Sequence, residues 1–269
     1  MQGRLSPSRA RLQSFPWSDW REEFARARAL GFEAIEWLFD AEDHPQNPLW
    51  SEAGIHEICS QMRETGITVP SVCANYFLHH PFFRVSESER RTSVGILNGL
   101  VRRASRLGSH VILLPVLEAA GIHQRSERAQ LLESLREVFD LAQAHALALA
   151  LETDLSAPEQ VALVMEAQHP ALGIYYDTGN ATAQGDDIAA DIQVVAPLLR
   201  GVHIKDRPRG GPNVALGTGD ADFDSFFAAL RSLEYEGPMI LETTPGDDYH
   251  EYARRNLEFV REFLARATA

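Results

Sequence analysis

Glu152, Asp177, His203 and Glu242 are residue types that bind divalent metals, and each closes a short apolar run: LALALE, GIYYD, RGVH and PMILE. Apolar, β-branched runs bounded by turn signals are strand candidates. In a parallel barrel the C-terminal strand ends converge on one face, where chemistry is done. Three carboxylates and one imidazole there make a cage for one divalent ion. Oxygen-rich ligands with one nitrogen suit Mn²⁺, Mg²⁺ or Co²⁺, with Zn²⁺ as the alternative. Singly, each carboxylate reads equally as a helix cap or an arginine partner, and His203 as a satisfied core histidine. A buried carboxylate without a partner is costly or takes up a proton, so four such strand ends in succession read as one site.

The elements that must position these residues alternate along the chain. A first short strand is expected in QGRL and a helix from about Ser18 to Leu30, stopped by Gly31. EAIEW is the second strand, and a helix over about Glu52 to Glu64 stops at Gly66. ITVPSVCA is the third strand. Ser86 and Glu89 form a capping box for a long helix with a Val94, Leu97, Val101, Ala104 stripe. HVILL is the fourth strand, and Leu131, Leu135, Val138 and Leu141 line the next helix. After LALALE, the fifth strand, Ser156 and Glu159 make a second capping box, with Pro158 in the first turn. GIYYD, GVHIK and PMILE are strands six to eight. Helices are expected from about Asp186 to Leu198, from Asp222, and from about Tyr249 to Arg266, the last with Ala253, Leu257, Val260 and Leu264 on one face. Apolar strands alternating with amphipathic helices indicate a parallel sheet covered by helices. The expectation is an α/β protein: one (β/α)8 TIM barrel domain over residues 1–269.

The totals agree with that class. The 269 residues are 45% hydrophobic and 23% charged, a soluble, globular composition. A net charge of -13 argues against a nucleic-acid partner, which needs excess Lys and Arg. Cys59 and Cys73 are too few for a disulfide framework and read as core filler in a reducing cytoplasm. MQGRLSPSRA lacks an apolar signal region, and no apolar run reaches the roughly 20 residues of a membrane span.

The motifs YYDTGN, GVHIKDR, ALGTGDADF and ILET resemble the xylose-isomerase-like TIM barrels, the sugar-phosphate isomerase/epimerase superfamily. QGRLSP and FPW…EF…ALGFEAIEW resemble its ribulose-phosphate and hexulose-phosphate 3-epimerase branch. The resemblance covers nearly the whole chain. It implies that Glu152, Asp177, His203 and Glu242 hold the metal and that Glu152 and Glu242 also transfer protons. The implied partner is a small-molecule sugar or sugar phosphate, with self-association left open. The implied reaction removes a proton beside a carbonyl and returns one; return on the opposite face inverts a carbinol centre. The competing readings are a sugar or cyclitol dehydratase on the same scaffold, a non-catalytic sugar-binding barrel, and a DNA repair endonuclease. Asn180 stands where many relatives carry His; it can hydrogen-bond a hydroxyl but is a poor metal ligand. That and the shortage of histidines count against a three-zinc endonuclease site.

Further candidates surround this set. Lys205 and Arg207 read as a cationic hand on a sugar oxygen or phosphate, or as a solvated loop. Glu36 ends the second strand and Trp37 adjoins it, either stacking on a sugar or filling the core. His79 and His80 follow the third strand, where Phe77, Phe82 and Phe83 form either a lid or a surface loop. Arg4 follows the first strand and is within reach of the site. Gly217, Gly219 and Asp222 suggest a turn into a helix N-terminus, which either holds an anion or merely turns the chain.

Overall fold

In the computed structural model, which describes residues 1–2, 5–6, 14–243 and 248–266, the apolar runs form one seven-stranded parallel sheet. The strands are β1 (Trp37–Leu38), β2 (Ser71–Cys73), β3 (Val111–Val116), β4 (Ala148–Thr153), β5 (Leu172–Asp177), β6 (Leu199–Ile204) and β7 (Met239–Leu241). They lie side by side in chain order. Parallel neighbours need long crossovers, and the helices fill them: α1 (Trp20–Leu30), α2 (Glu52–Thr65), α3 (Tyr76–His79), α4 (Glu87–Ala104), α5 (Arg125–Ala144), α6 (Ala157–Ala167), α7 (Thr178–Gln184), α8 (Ile188–Val195), α9 (Phe223–Ser232) and α10 (Tyr249–Ala265). Gln2 links the two sheet edges. It forms a parallel bridge with Glu36, beside β1, and its N–H donates to the Leu241 carbonyl of β7 at 3.2 Å. Among the described residues, no helix is long and apolar enough to cross a membrane.

Local chemistry explains most boundaries. α1 buries Trp20, Phe24 and Ala27 on one face and ends at Gly31, whose φ of 87° suits glycine. The Ser86 hydroxyl accepts from Glu89 N–H while the Glu89 carboxylate takes the Ser86 N–H, closing the expected capping box. The Glu159 carboxylate likewise takes the Ser156 N–H at 3.1 Å.

Several expectations change. Of QGRL, Arg4 and its neighbour lie outside the described residues, and Gln2 makes a single bridge rather than a strand. Of EAIEW only Trp37 falls in a strand, Trp37–Leu38, with Ala34 and Glu36 in isolated bridges. A short helix that the pattern missed, α7, starts directly after Asp177, because the Asp177 carboxylate accepts from Asn180 N–H as its N-cap. The expected 186–198 helix is α8 followed by a short 3₁₀ turn at Ala196–Leu198, which contains Pro197. In α10 the buried face runs through Ala253, Asn256, Val260 and Phe263, leaving Leu264 exposed. Phe77, Phe82 and Phe83 are core rather than lid, each at most 2% exposed, with Phe77 stacked on Phe82.

The register sets the barrel interior. Alternate strand residues share a face, and β5 pairs with β6 so that Tyr175 meets Gly201 and Asp177 meets His203. A Cβ on Gly201 would fall well inside contact distance of the Tyr175 ring. The ring therefore lies across the one position in β6 that leaves room for it.

Candidate metal and proton-transfer site

Glu152 lies near the end of β4, Asp177 ends β5, His203 is the penultimate residue of β6, and Glu242 follows β7. The Glu242 N–H continues the ladder by donating to the Ile204 carbonyl at 3.1 Å. One ligand atom from each of the four lies within 4.8 Å of all the others. Donors about 2.0–2.6 Å from one ion stand roughly 4–5 Å apart across it, so the spacing fits a single divalent cation. Exposure is 6% for Glu152, 5% for Asp177, 0% for His203 and 2% for Glu242. Three carboxylates brought this close and this far from water demand a compensating cation.

His203 supplies the fitting nitrogen. Its Nε2 lies 2.8 Å from Glu36 Oε1, while Nδ1 faces Glu242, Asp177 and Glu152 at 2.6, 3.7 and 3.9 Å. Nδ1 is buried and has no well-directed hydrogen bond. One ring nitrogen tied to a carboxylate and the other aimed into a ligand cluster is the usual arrangement of a metal-binding histidine. Burial opposes charge on His203, but Glu242 and Glu36 outweigh it and raise its pKa well above the ordinary value. A bound cation would take the place of that proton.

The two glutamates differ. Burial, with Asp177 and Glu242 nearby, pushes the Glu152 carboxyl up to about 8. Glu152 Oε1 accepts from Asn180 Nδ2 at 3.1 Å, and Asn180 Oδ1 accepts from Arg207 Nη1 at 3.0 Å. Glu242 is instead beside His203 and the Lys205 ammonium, which sits 2.7 Å from Glu242 Oε1 and 2.8 Å from Asp177 Oδ2. Asp177 is raised by burial, but Lys205 and His203 bring it below its ordinary value.

The remaining expected site residues take different places. Asn180 and Arg207 join the cluster through the chain just described. Lys205, expected to reach a sugar, points back between two carboxylates because their charge is the nearest partner for a buried ammonium; it is 5% exposed. Glu36, expected at the substrate, lies under His203, where its carboxylate also accepts from Gln2, Ser71 and Tyr175. Burial would raise Glu36, but the His203 charge and these hydrogen bonds hold it below the usual carboxylate value. Trp37 faces the opposite side of its strand. It is 2% exposed and packs on Phe15, which precedes α1, and on Trp20 of α1, with Nε1 donating to Asn47, so it is core and not a sugar platform. His80 is exposed and stacks on Tyr76, 4.4 Å between centroids. Arg4 lies outside the described residues. The Gly217 and Gly219 N–H groups, considered as an anion site, donate to Asp206 Oδ2 at 2.8 and 2.9 Å. The chain's own carboxylate fills that turn.

Tyr175 and Ser71 were not singled out from the sequence. The signal for Tyr175 was its position two residues before Asp177, hence on the same strand face.

The comparisons bear on this geometry. The family described as "Xylose isomerase-like TIM barrel" matches residues 24–263. The chain is 29% identical over 231 residues to the L-ribulose-5-phosphate 3-epimerase UlaE of Salmonella paratyphi C (strain RKS4594), covering 83% of this chain and 81% of that protein. An L-ribulose 3-epimerase structure superposes with a TM-score of 0.80 at 18% identity, over 100% of this chain and 94% of that one. The D-psicose 3-epimerase of Clostridium cellulolyticum H10, solved with D-tagatose, gives 0.77 at 20% identity, over 91% and 94%. Those likenesses concern the fold. With a family match spanning most of its length, this chain belongs to the xylose isomerase-like TIM barrel family.

Proposed function

We propose that residues 1–269 form one eight-unit β/α barrel and act as a divalent-metal-dependent 3-epimerase of a ketose or ketose phosphate. The protein is a sugar isomerase/epimerase. The observation that carries the finer reading is the meeting of Glu152, from β4, and Glu242, just after β7, in one buried four-residue ligand cluster. Glu152, Asp177, His203 and Glu242 would hold the ion. When bound, it supplies positive charge to substrate oxygens where negative charge develops as the proton leaves carbon.

The chain's own groups do the rest. One glutamate takes the proton beside the carbonyl, and the other returns a proton to the opposite face, inverting the centre. Asn180 keeps a donor on Glu152, and Arg207 behind it supplies positive charge for a sugar oxygen or phosphate. The curated relative is named for L-ribulose 5-phosphate, so that substrate is the first to test.

The experiment is to incubate Mn²⁺-loaded protein in D₂O with L-ribulose 5-phosphate and a panel of free ketoses. Deuterium at C3 with inversion is expected. Deuterium at C1 without inversion would make the protein an aldose–ketose isomerase, and loss of water a dehydratase. Glu152→Gln and Glu242→Gln, loaded to equal occupancy, should each lose at least about 10²-fold in turnover. One should retain exchange from one epimer, and the other from the opposite epimer. Full turnover in both variants would move the bases elsewhere.

A further inference from the structure

We propose that Lys205 is a resident cation of this site, competing with the divalent ion for Asp177 and Glu242. The proposal rests on the metal reading above and adds a residue that sets how tightly the metal is held.

The lysine is built into place at three points. Thr178 Oγ1 accepts the Lys205 N–H at 3.0 Å and donates to the Lys205 carbonyl at 2.7 Å, clamping its backbone. The aliphatic stem then lies against Gly179, where a Cβ would fall 2.6 Å from Lys205 Cγ and 2.8 Å from Cδ. Only a residue without a side chain leaves that channel open. The ammonium ends 2.8 Å from Asp177 Oδ2 and 2.7 Å from Glu242 Oε1. A lysine meant for a sugar would extend past the carboxylates; this one stops between two of them.

Charge explains what such a residue does. Glu36, Glu152, Asp177 and Glu242 are each at most 6% exposed, and among the described residues the cations in ion-pair contact with them are Lys205 and, when protonated, His203. Without metal, Lys205 offsets part of that negative charge and keeps the strand ends together. For an arriving divalent ion, the same ammonium is a like charge a few ångströms away, attached to two of its ligands.

Removing the lysine charge has two opposed effects on metal affinity. It removes the competitor, and it loosens the carboxylates. The first prevails because other contacts fix three of the four ligands. Asp177 Oδ1 accepts from Asn180 N–H at 2.8 Å, Glu152 from Asn180 Nδ2 at 3.1 Å, and His203 is held by Glu36 at 2.8 Å.

The test uses the full chain, stripped with chelator and titrated with MnCl₂ by calorimetry, as wild type, Lys205→Met and Gly179→Ala. The glycine variant pushes the stem away while leaving the charge in the protein, so it stands if the methionine variant fails to fold. Both variants are expected to bind Mn²⁺ at least about tenfold more tightly than wild type, and metal-free Lys205→Met is expected to melt below wild type. Mn²⁺ binding by the variants but not by wild type would support the proposal in its strongest form. Wild-type or weaker affinity in both variants overturns it and leaves the metal reading standing. No Mn²⁺ binding by any of the three overturns both.

Discussion

His203 turns its Nε2 onto Glu36, 2.8 Å away in the barrel interior, and that contact decides which ring nitrogen faces the carboxylates. Glu36 is itself held by Ser71 and Tyr175, with Tyr175 OH 3.0 Å from Oε2. Glu36→Gln keeps an oxygen for the imidazole but presents an N–H₂ where two donors, the Ser71 and Tyr175 hydroxyls, now point. Mn²⁺ affinity should fall about 10- to 100-fold, the scale for a lost ligand-orienting partner. Calorimetric titration checks it, and an unchanged Kd would mean that Nδ1 is oriented by the cluster alone.

Arg207 reaches the cluster through Asn180, with a second hydrogen bond from Nε to the Gly211 carbonyl at 2.9 Å. Its outer position suits uniform substrate binding rather than a reaction step. Arg207→Ala should raise KM by about tenfold and change kcat less. The effect should be larger on a ketose phosphate than on the free ketose. Steady-state kinetics on both substrates decide this, and an unchanged KM on both removes Arg207 from the binding site.

Gly201 leaves the space in which the Tyr175 ring lies. Gly201→Ala should destabilise the fold by about 1–3 kcal/mol, the cost of overpacking a core, and draw the Tyr175 hydroxyl off Glu36. At Gly95, in α4, a Cβ would meet nothing within 4 Å beyond its own helix backbone and chain neighbours. Gly95→Ala should therefore match wild type or gain up to about 1 kcal/mol from helix propensity. Denaturant unfolding of the two variants tests the contrast, and equal destabilisation would remove it.

Glu23, on the buried face of α1, is 2% exposed and accepts from Leu5 N–H at 3.0 Å. Burial raises its pKa from 4.5 to about 7. The folded chain then holds the Glu23 proton more tightly than the unfolded chain does. Its contribution to stability is greatest below about 4.5 and declines as pH rises through about 7. The whole change is on the order of 3 kcal/mol. Glu23→Gln should flatten the dependence of Tm on pH in that window. Thermal melts at pH 5 and pH 8 measure the slope, and an identical slope in the variant assigns it to another group.

The four ligand positions were legible without coordinates because each closes an apolar run and parallel strands converge at their C-terminal ends. The capping serine–glutamate pairs and the glycines that stop α1 and α2 were legible for a similar reason: they act within three or four residues. Less came through where the deciding contact is distant. Glu36 was recognisable as a strand-end carboxylate, but its partners His203 and Tyr175 lie 167 and 139 residues further along the chain. Only the curvature of the sheet brings them across the barrel interior.

Trp37 and Glu36 are neighbours in sequence, yet one packs on α1 and the other enters the interior. A period of two assigns them to opposite faces without saying which face is which. Lys205 shows the same limit in charge. Its residue type announced a cation near His203. Whether that cation reached outward to a substrate or back to the carboxylates depended on a channel over Gly179 and on two acids supplied by other strands. Sequence spacing carried the periodic and short-range instructions. Tertiary structure decided direction and partnership, because those depend on which distant groups meet in a space too small and too dry to leave any charge alone.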